Sequence, residues 1–216
     1  MSTTERPLLI CGTRSFAEEI ADVVSDTPGF AVAGFVENLD RDRCAQPLVG
    51  LPVHWIDEIE ALASTHLAVC ALATTKRRVF TEQVAERGVG FATIAHPTAR
   101  ISRLSELGEG TIASVGVIVA AHTRVGRHVV LNRAALVGHH TTVGDHVSLM
   151  PGANVAGNCR VGAGVFVGMG AVVLDNLELG ADAVVAAGAV VTRNVPAGAQ
   201  VMGVPARVVH GVHGPR

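Results

Sequence analysis

The chain has 216 residues, 49% of them hydrophobic, and a formal net charge of −2 at pH 7. This near-neutral charge excludes a broad basic surface for nucleic acid or for an anionic membrane. Because the sequence has no tyrosine and one tryptophan, its core must consist mainly of valine, alanine, leucine and isoleucine. That composition favours a repetitive architecture of small side chains.

We find neither a secretory leader nor an apolar run of about 18 residues, the length that crosses a membrane. We therefore expect a cytoplasmic protein without membrane insertion and without a nucleic-acid partner. The cysteines, Cys11, Cys44, Cys70 and Cys159, lack the spacing of a metal site. We expect reduced thiols and no bound metal.

The N-terminal part of the chain alternates between strand and helix patterns. A buried strand is predicted at 7–12, an amphipathic helix at 15–26 and a second strand at 30–38. The alternation continues through segments 56–63, 67–73, 76–88 and 90–95. This pattern predicts an α/β, Rossmann-like βαβ domain with a small parallel sheet over residues 1–96.

One dense basic run, Lys76-Arg77-Arg78, lies at the start of a predicted helix. A solvated helix terminus is the simpler interpretation of this run. Contact with a phosphate group is the alternative, because helix N-termini bind anions.

From Ile101 to Val191 every sixth residue is valine, leucine or isoleucine, with Ala113 as the exception. Such a hexad is typical of a parallel β-helix in which three six-residue segments make one coil. Each short strand then points its first and last side chains inward, and residue n stacks under residue n+18 at about 4.8 Å. We predict an all-β left-handed parallel β-helix over 97–201 and a C-terminal tail over 202–216.

The fourth residue of each hexad is expected to turn the corner between two strands. At this position glycine, asparagine, aspartate and histidine recur, and these residue types are enriched where φ is positive. His122, His128, His140 and His146 therefore have a structural explanation as corner residues. The column formed by His122, His140, Asn158, Asn176 and Asn194 is predicted to stack along one edge.

His139 occupies a different position, one residue before the corner, where no other hexad has a histidine. The residues one coil below and one coil above it are Ala121 and Gly157. We therefore expect its imidazole to project from the edge with open space on both sides. A base needs such space beside it for a thioester and a nucleophile.

The hexads, the segment "VGHHTTVGDHVSLMPGANVAGN", the closing "MGVPARVV" and the opening "ICGTRSFAEEIAD" together resemble the hexapeptide-repeat family of bacterial sugar O- and N-acyltransferases. This family includes the sialic acid O-acetyltransferases and the enzymes that acetylate nucleotide-linked 4-amino-sugars. The resemblance implies an acetyl-CoA-dependent acetyltransferase of surface-glycan biosynthesis. It also implies a homotrimer that acts on an amino or hydroxyl group of a sugar, with a nucleotide-linked sugar as the expected acceptor.

The resemblance assigns the general base to His139. The carboxylate that follows the base in the family falls on His140, which is a departure. A second family histidine, which contacts the acetyl-CoA thioester, falls on Ser148.

The family's cofactor groove and acceptor loop also map onto this chain. Acetyl-CoA is expected near Gly157, Met169 and Ala187, with Arg207 as a weaker candidate for its phosphates. The acceptor is expected at the loop after the first strand and at the end of the second strand, with Gly12, Thr13, Arg14, Glu37 and Asn38 as its candidate residues. Within the loop, Arg14 and Phe16 stand where small residues and a histidine are usual.

Two other functions fit parts of the pattern. A zinc hydratase of the γ-carbonic anhydrase type also combines hexad prisms with edge histidines, although the added βα domain has no role in it. A non-catalytic β-helix scaffold or sugar-binding protein would leave His139 dispensable. Metal content, CoA binding and the effect of replacing His139 discriminate among the three.

Overall fold

The computed structural model describes residues 5–74 and 77–209. Its N-terminal part is a parallel sheet of five strands in the order β3-β2-β1-β4-β5. The strands are β1 (Arg6–Cys11), β2 (Phe30–Glu37), β3 (Val53–Trp55), β4 (Leu67–Cys70) and β5 (Gly90–Phe91). The helices are α1 (Ser15–Ser25) and α2 (Arg77–Glu86), with 3₁₀ segments at Arg41–Ala45 and Ile56–Leu62.

The sheet is buried on both sides, as expected for parallel strands. Along β1, Leu8 and Ile10 face the side that α1 covers, whereas Leu9 and Cys11 face the side of α2. The α/β prediction for the N-terminal part is thus confirmed.

The rest of the chain is a triangular β-helix of short parallel strands. We number its three faces in the order in which the chain first reaches them. The first face holds β6 (Ile94–Ala95), β9 (Ile112–Ala113), β12 (Val130–Leu131), β15 (Ser148–Leu149), β18 (Phe166–Val167), β21 (Val184–Val185), β23 (Gln200–Met202) and the antiparallel β24 (Arg207–Val208). The second face holds β7 (Arg100–Ile101), β10 (Ile118–Val119), β13 (Leu136–Val137), β16 (Asn154–Val155), β19 (Val172–Val173) and β22 (Val190–Val191). The third face holds β8 (Glu106–Leu107), β11 (Arg124–Val125), β14 (Thr142–Val143), β17 (Arg160–Val161) and β20 (Glu178–Leu179).

The hexad prediction holds through most of this β-helix. Val130 pairs with Ser148, eighteen residues further on, and the same spacing repeats on all three faces. Val129 and Leu131, at the two ends of one strand segment, are fully buried. Apolar burial of this kind contributes about 25 cal/mol per Å², so the inward columns supply the core that the aromatic-poor sequence requires.

The corner prediction is also confirmed, with one exception. His122, His128, His140 and His146 have φ between 53° and 58°, and Asn158 and Asn176 have φ of 56° and 61°. Asn194 is not among the residues with positive φ. Its side chain instead accepts a hydrogen bond from the backbone N–H of Glu178, at 2.9 Å.

The last coil explains why Asn194 departs from the pattern. Leu179 bridges to Val195 and Val184 pairs with Gln200, in both cases sixteen residues further on instead of eighteen. Two residues are therefore missing from this coil, and the column that begins at His122 ends at Asn176.

The N-terminal part differs from its sequence-based prediction at two segments. Residues 56–62 form a 3₁₀ segment, and the predicted strand at 90–95 divides into two. Its first half, β5, pairs with β4, whereas its second half, β6, pairs with β9 of the β-helix. The first face of the β-helix therefore starts directly after the last strand of the N-terminal sheet.

A buried arginine joins the N-terminal sheet to the β-helix. Arg77, at the start of α2, is 0% exposed. Its guanidinium donates to the carbonyl oxygen of His128 at 2.7 Å, to that of Val147, and to the hydroxyl of Ser148 at 2.7 Å. It also donates to the carbonyl of Thr74 at 2.9 Å. Burial lowers the pKa of Arg77 to about 10, so the group is charged at neutral pH.

This burial corrects the interpretation of the basic run. Arg77 is neither solvated nor free to contact a phosphate, because carbonyl and hydroxyl oxygens occupy its donors. Arg78 is exposed, and Lys76 lies outside the described residues.

Further contacts hold the same interface. The ring of Phe91 meets that of His128 edge-on, with centroids 4.5 Å apart. Glu19 of α1 pairs with Arg133, and Asp26 lies 3.3 Å from His96. None of the described helices is long and apolar enough to span a bilayer. The last seven residues of the predicted tail, 210–216, lie outside the described residues.

We predict that Arg77→Lys destabilises the protein by about 3 kcal/mol, because an ammonium cannot reach all the buried oxygens and each unsatisfied one costs about 1–3 kcal/mol. Urea unfolding followed by fluorescence of Trp55 measures the change. Arg78→Lys is the matched control, and we expect a change within about 0.5 kcal/mol for this exposed neighbour. Equal unfolding midpoints for the two variants would contradict the role of Arg77 at the interface.

Candidate active site

Two adjacent histidines lie at the edge between the second and third faces. His139 and His140, which connect β13 to β14, are both exposed. Their Nδ1 atoms are 3.1 Å apart and their ring planes meet at 84°. At this distance one Nδ1 carries a hydrogen and the other accepts it. The two rings are therefore joined by one hydrogen bond, which leaves the Nε2 atom of each ring outside it.

Gly157 lies against the His139 ring. A Cβ on Gly157 would lie 2.8 Å from Cε1 and 2.9 Å from Nε2 of His139. Any larger residue at 157 would therefore displace the imidazole. The expectation of open space on both sides of His139 is wrong on this side, because the ring itself fills the space that the glycine leaves.

The backbone fixes the direction of both imidazoles. The N–H of His140 donates to the carbonyl of Ala121 at 3.0 Å, in the coil below. The carbonyl of His139 accepts from the N–H of Asn158 at 2.8 Å, in the coil above. Because this peptide is bonded to both neighbouring coils, the two side chains start from a rigid corner.

Ser148 does not lie with this pair. It begins β15 on the first face, away from the edge where His139 lies, and its hydroxyl is fully buried beneath Arg77. A side chain with no exposed surface cannot contact a thioester. This burial corrects the expectation that Ser148 contacts the acetyl-CoA thioester.

Met169 and Ala187 lie on another edge, between the first and second faces. Both are exposed, Met169 by 57%. The adjoining Gly170 and Gly188 have no atom within 4 Å of where a Cβ would be. These residues form a strip of small side chains and one methionine that is open to solvent. Within one chain, the second face separates this strip from His139.

The predicted acceptor residues lie at the carboxyl ends of the N-terminal strands. In the order β3-β2-β1-β4-β5, the chain reverses direction between β1 and β4, where ligands of open parallel sheets bind. Gly12 follows β1 with φ of 121°, and a Cβ there would lie 3.3 Å from the carbonyl oxygen of Ala71. Only glycine lets these two loops approach so closely. Sequence analysis missed the second wall of this crevice, 71–74, although the end of a predicted strand was its signal.

Glu37 stabilises the loop after β2. One carboxylate oxygen accepts from the hydroxyl of Thr13, and the other accepts from the backbone N–H groups of Asn38 and Leu39 at 2.9 and 2.8 Å. Burial alone would raise the pKa of Glu37, but these hydrogen bonds lower it below its ordinary value. The amide of Asn38 is likewise engaged, with Gln83 at 2.8 Å. Of the predicted acceptor residues, Arg14 at the start of α1 is the one whose side chain is exposed.

His128 and His146 stack on the edge between the third and first faces, beside α2. Their rings are 5.1 Å apart and nearly parallel, and the Nδ1 atom of each is buried without a hydrogen-bond partner. Burial, then the neighbouring His128 and Arg77, lower the pKa of His146 to about 4. Burial and Arg127 lower that of His128. These two imidazoles are neutral packing groups at pH 7.

Within residues 5–74 and 77–209, no group of three or more His, Cys, Asp or Glu side chains is arranged to hold a metal ion. The four cysteines are free thiols. Burial raises the pKa of Cys70 to about 12 and that of Cys11 well above its ordinary value. Both thiols are therefore protonated and unreactive.

Comparison with known proteins agrees with this geometry. The family model for the bacterial transferase hexapeptide (six repeats) matches residues 140–174 and 158–193. A search of curated proteins found no match. PerB from Caulobacter crescentus, solved in complex with CoA and GDP-perosamine, is 28% identical with a TM-score of 0.86, over 97% of this chain and 100% of that one. This chain is an acyltransferase whose residues 140–193 match the hexapeptide repeats of bacterial transferases.

Two further solved structures resemble the acyltransferase over nearly its whole length. The acetyltransferase domain of PglB from Neisseria gonorrhoeae FA1090, in complex with acetyl coenzyme A, is 26% identical with a TM-score of 0.88, over 95% of this chain and 100% of that one. WeeI from Acinetobacter baumannii AYE is 26% identical with a TM-score of 0.85, over 94% and 100%. The likeness spans both parts of the acyltransferase, and it favours an acetyltransferase over a zinc hydratase or a scaffold.

The His128–His146 stack predicts a pH-dependent stability. Because the pKa of His146 falls from 6.5 to about 4 on folding, the unfolded chain binds more protons between these values, and stability decreases as pH falls through them. We expect His146→Asn to reduce the loss of stability between pH 7 and pH 5, measured by urea unfolding. Asparagine tolerates positive φ, so the corner is preserved. His122→Asn, on an exposed corner, should leave the pH dependence unchanged, and an equal effect of both variants would contradict the assignment.

Proposed function

We propose that this acyltransferase transfers the acetyl group of acetyl-CoA to an amino group of a nucleotide-linked sugar, with His139 as general base. The observation that carries the proposal is the likeness over both domains to PerB, solved with CoA and GDP-perosamine. The same protein is described as a GDP-perosamine N-acetyltransferase and was also solved with one histidine replaced by asparagine or alanine. An exposed, backbone-fixed histidine pair in the present chain fits the same chemistry.

We assign acceptor binding to the N-terminal domain, residues 1–96. The crevice between Gly12-Thr13 and 71–74 would hold the nucleotide sugar, with its phosphates at the N-terminus of α1 and Arg14. Glu37 and Thr13 support the loops, because each uses its side chain in the hydrogen bond that joins them. Asn38 donates from its side-chain amide to Gln83 of α2 and from its backbone N–H to Glu37, so its side-chain carbonyl is the group proposed to meet the acceptor.

The β-helix, residues 97–201, would bind acetyl-CoA along the strip of Met169, Gly170, Ala187 and Gly188. Small exposed residues leave room for the narrow pantetheine arm, and the Met169 side chain offers apolar contact. Exposed Arg207, in the tail from 202, lies at the end of the first face and is available to the phosphates. Gly157 contributes by seating His139, and Ser148 is left out because it is buried.

The site would be completed by a second copy of the chain. His139 lies on the edge between the second and third faces, whereas Met169 lies between the first and second, so one chain cannot bring them together. The β-helix of a neighbouring copy would place its Met169 edge beside the His139 edge of this chain. Three copies arranged in a ring would repeat the same contact. The outward column of the second face holds Ile118, Leu136, Val172 and Val190, interrupted by Asn154, and these apolar side chains would be buried there.

The chemistry follows from these positions. The Nε2 atom of His139 takes the proton of the acceptor nitrogen as that nitrogen attacks the thioester carbonyl. Backbone N–H groups at the neighbouring edge stabilise the developing oxyanion. We place the reaction in the cytoplasm, where the free thiols of the buried cysteines remain reduced.

The proposal is tested by measuring thiol release from acetyl-CoA with a panel of UDP-, GDP- and dTDP-linked amino-sugars. We expect one member to be acetylated at its amino group, as shown by mass spectrometry. Lack of CoA binding together with no turnover on any amino- or hydroxy-sugar would favour a scaffold.

We predict that His139→Asn lowers turnover by about 10²–10⁴-fold, the usual contribution of a general base, with little change in acetyl-CoA affinity. His146→Asn is the matched control, since it makes the same exchange at a half-buried histidine on another edge. Similar losses in both variants would show that the effect is structural.

We predict a trimer in solution, with a light-scattering mass three times the 22.3 kDa of the chain. Ile118, 43% exposed on the second face, should be covered in this assembly. Ile118→Lys should therefore shift the mass towards monomer and lower turnover. A monomeric wild-type protein at micromolar concentration would rule out a site shared between copies.

A further inference from the structure

The His139–His140 pair is built in a way that a histidine–carboxylate pair is not. Their Nδ1 atoms face each other at 3.1 Å, and the Nε2 atom of each ring takes no part in this contact. Either His139 donates its Nδ1–H to His140, or His140 donates to His139. The two alternatives give His139 opposite functions, because its free Nε2 is a base only in the first.

We propose that His139 donates its Nδ1–H to His140, and that the two imidazoles share one proton during catalysis. His140 is then a positioning residue that also accepts a proton, in place of a carboxylate. The inference rests on the proposed function of His139 as general base. It adds the partner through which that base works.

The corner geometry supports a permanent pairing of the two rings. The φ of 56° at His140 turns its side chain back towards His139, and the peptide between them is hydrogen-bonded to Ala121 and Asn158. Below His140, the ring of His122 lies 4.8 Å away, and Gly157 seats the ring of His139. Each imidazole therefore packs against a neighbouring coil in the arrangement in which the two Nδ1 atoms meet.

The charged groups around the pair leave the shared proton without a counter-ion. Among the described residues, His96 has a carboxylate within 4.0 Å of its ring, whereas His139 and His140 do not. His122 below and Asn158 above occupy the column of His140. Glu106 and Arg124, of opposite charge, line the recess that His122 borders on the third face. A proton taken up by the pair therefore remains as one positive charge on two rings.

Two coupled proton transfers accompany the transfer of the acetyl group. As the amine nitrogen bonds to the carbonyl carbon, its proton passes to Nε2 of His139, and the Nδ1 proton of His139 moves to Nδ1 of His140. His139 is then neutral with hydrogen on Nε2, and His140 is an imidazolium. When the carbon–sulfur bond breaks, the Nε2 proton passes to the leaving sulfur and the Nδ1 proton returns to His139. Both rings end as they began.

His140 can be replaced by residue types that already occupy corners of this fold, so the variants should keep the backbone of the corner. Asparagine occupies the same column at Asn158 and Asn176 with φ of 56° and 61°, and Asp182 has φ of 56° at another corner. His140→Asn supplies an oxygen that can hold the Nδ1–H of His139 but cannot take its proton. His140→Asp supplies a carboxylate. His146→Asn, a corner histidine with φ of 58° on a different edge, is the control.

The first readout is ¹⁵N NMR of the imidazoles in the wild-type protein above pH 7, with assignment from the variants. We expect His139 to carry hydrogen on Nδ1 and His140 to carry hydrogen on Nε2. The opposite tautomers would overturn the proposal. This measurement needs neither substrate nor turnover, so it stands even if the proposed function fails.

The second readout is the pH dependence of kcat/KM for the acetylated sugar. We expect His140→Asn to lower kcat by about 10–100-fold, part of what a general base supplies, with the KM for acetyl-CoA unchanged. In His140→Asp the nearby anion favours the protonated form of His139, so the acidic limb should move up by about 1 pH unit while activity is restored above it. Wild-type rates and limbs in both variants would show that His140 only turns the corner. If His139→Asn is also silent, the base assignment itself has failed.

Discussion

The β-helix depends on one backbone constraint, a left-handed residue at every sixth position from Gly110 to Gly188. A residue with positive φ costs about 1 kcal/mol or more unless it is glycine or a short polar type, which explains why these corners, with Ala134 as the exception, hold glycine, asparagine, aspartate and histidine. Each corner directs the chain from one face onto the next, so that after three corners, or eighteen residues, the chain is again on the face where it started. The stack that results decides which side chains meet. His139 lies against Gly157 and His140 lies over His122 because each member of a pair is one coil from the other.

A second constraint determines how the two parts of the chain are joined. Arg77 is buried with oxygen partners from both the N-terminal segment and the β-helix. A buried charge that is fully hydrogen-bonded in one geometry is costly in every other. The interface is therefore specific as well as stable. It fixes the acceptor crevice relative to the first face and removes Ser148 from any contact with substrate.

The sequence predicted what depends on local period and backbone preference. The anchors, the corners and the separate position of His139 are all readable from residue type and spacing. The missing two residues of the last coil were also encoded, since Val195 and Val201 are six apart but displaced from the earlier frame. Burial across domains was not readable. Arg77 and Ser148 lie 71 positions apart, and no local pattern indicates that a basic residue at a helix start will meet a serine on a distant strand.

The corner histidines show why residue type and backbone angle do not assign function by themselves. His140 and His146 have φ of 56° and 58° and the same place in their hexads. His146 stacks on His128 beside α2, where burial and nearby arginines favour its neutral form. His140 is exposed on an edge that the described residues, 5–74 and 77–209, leave uncovered, with the Nδ1 atom of a second histidine as its partner. The N-terminal domain thus covers the column of His128 and His146, whose rings pack against it, and leaves the column of His140 open to solvent. Only the open column can exchange protons with a substrate.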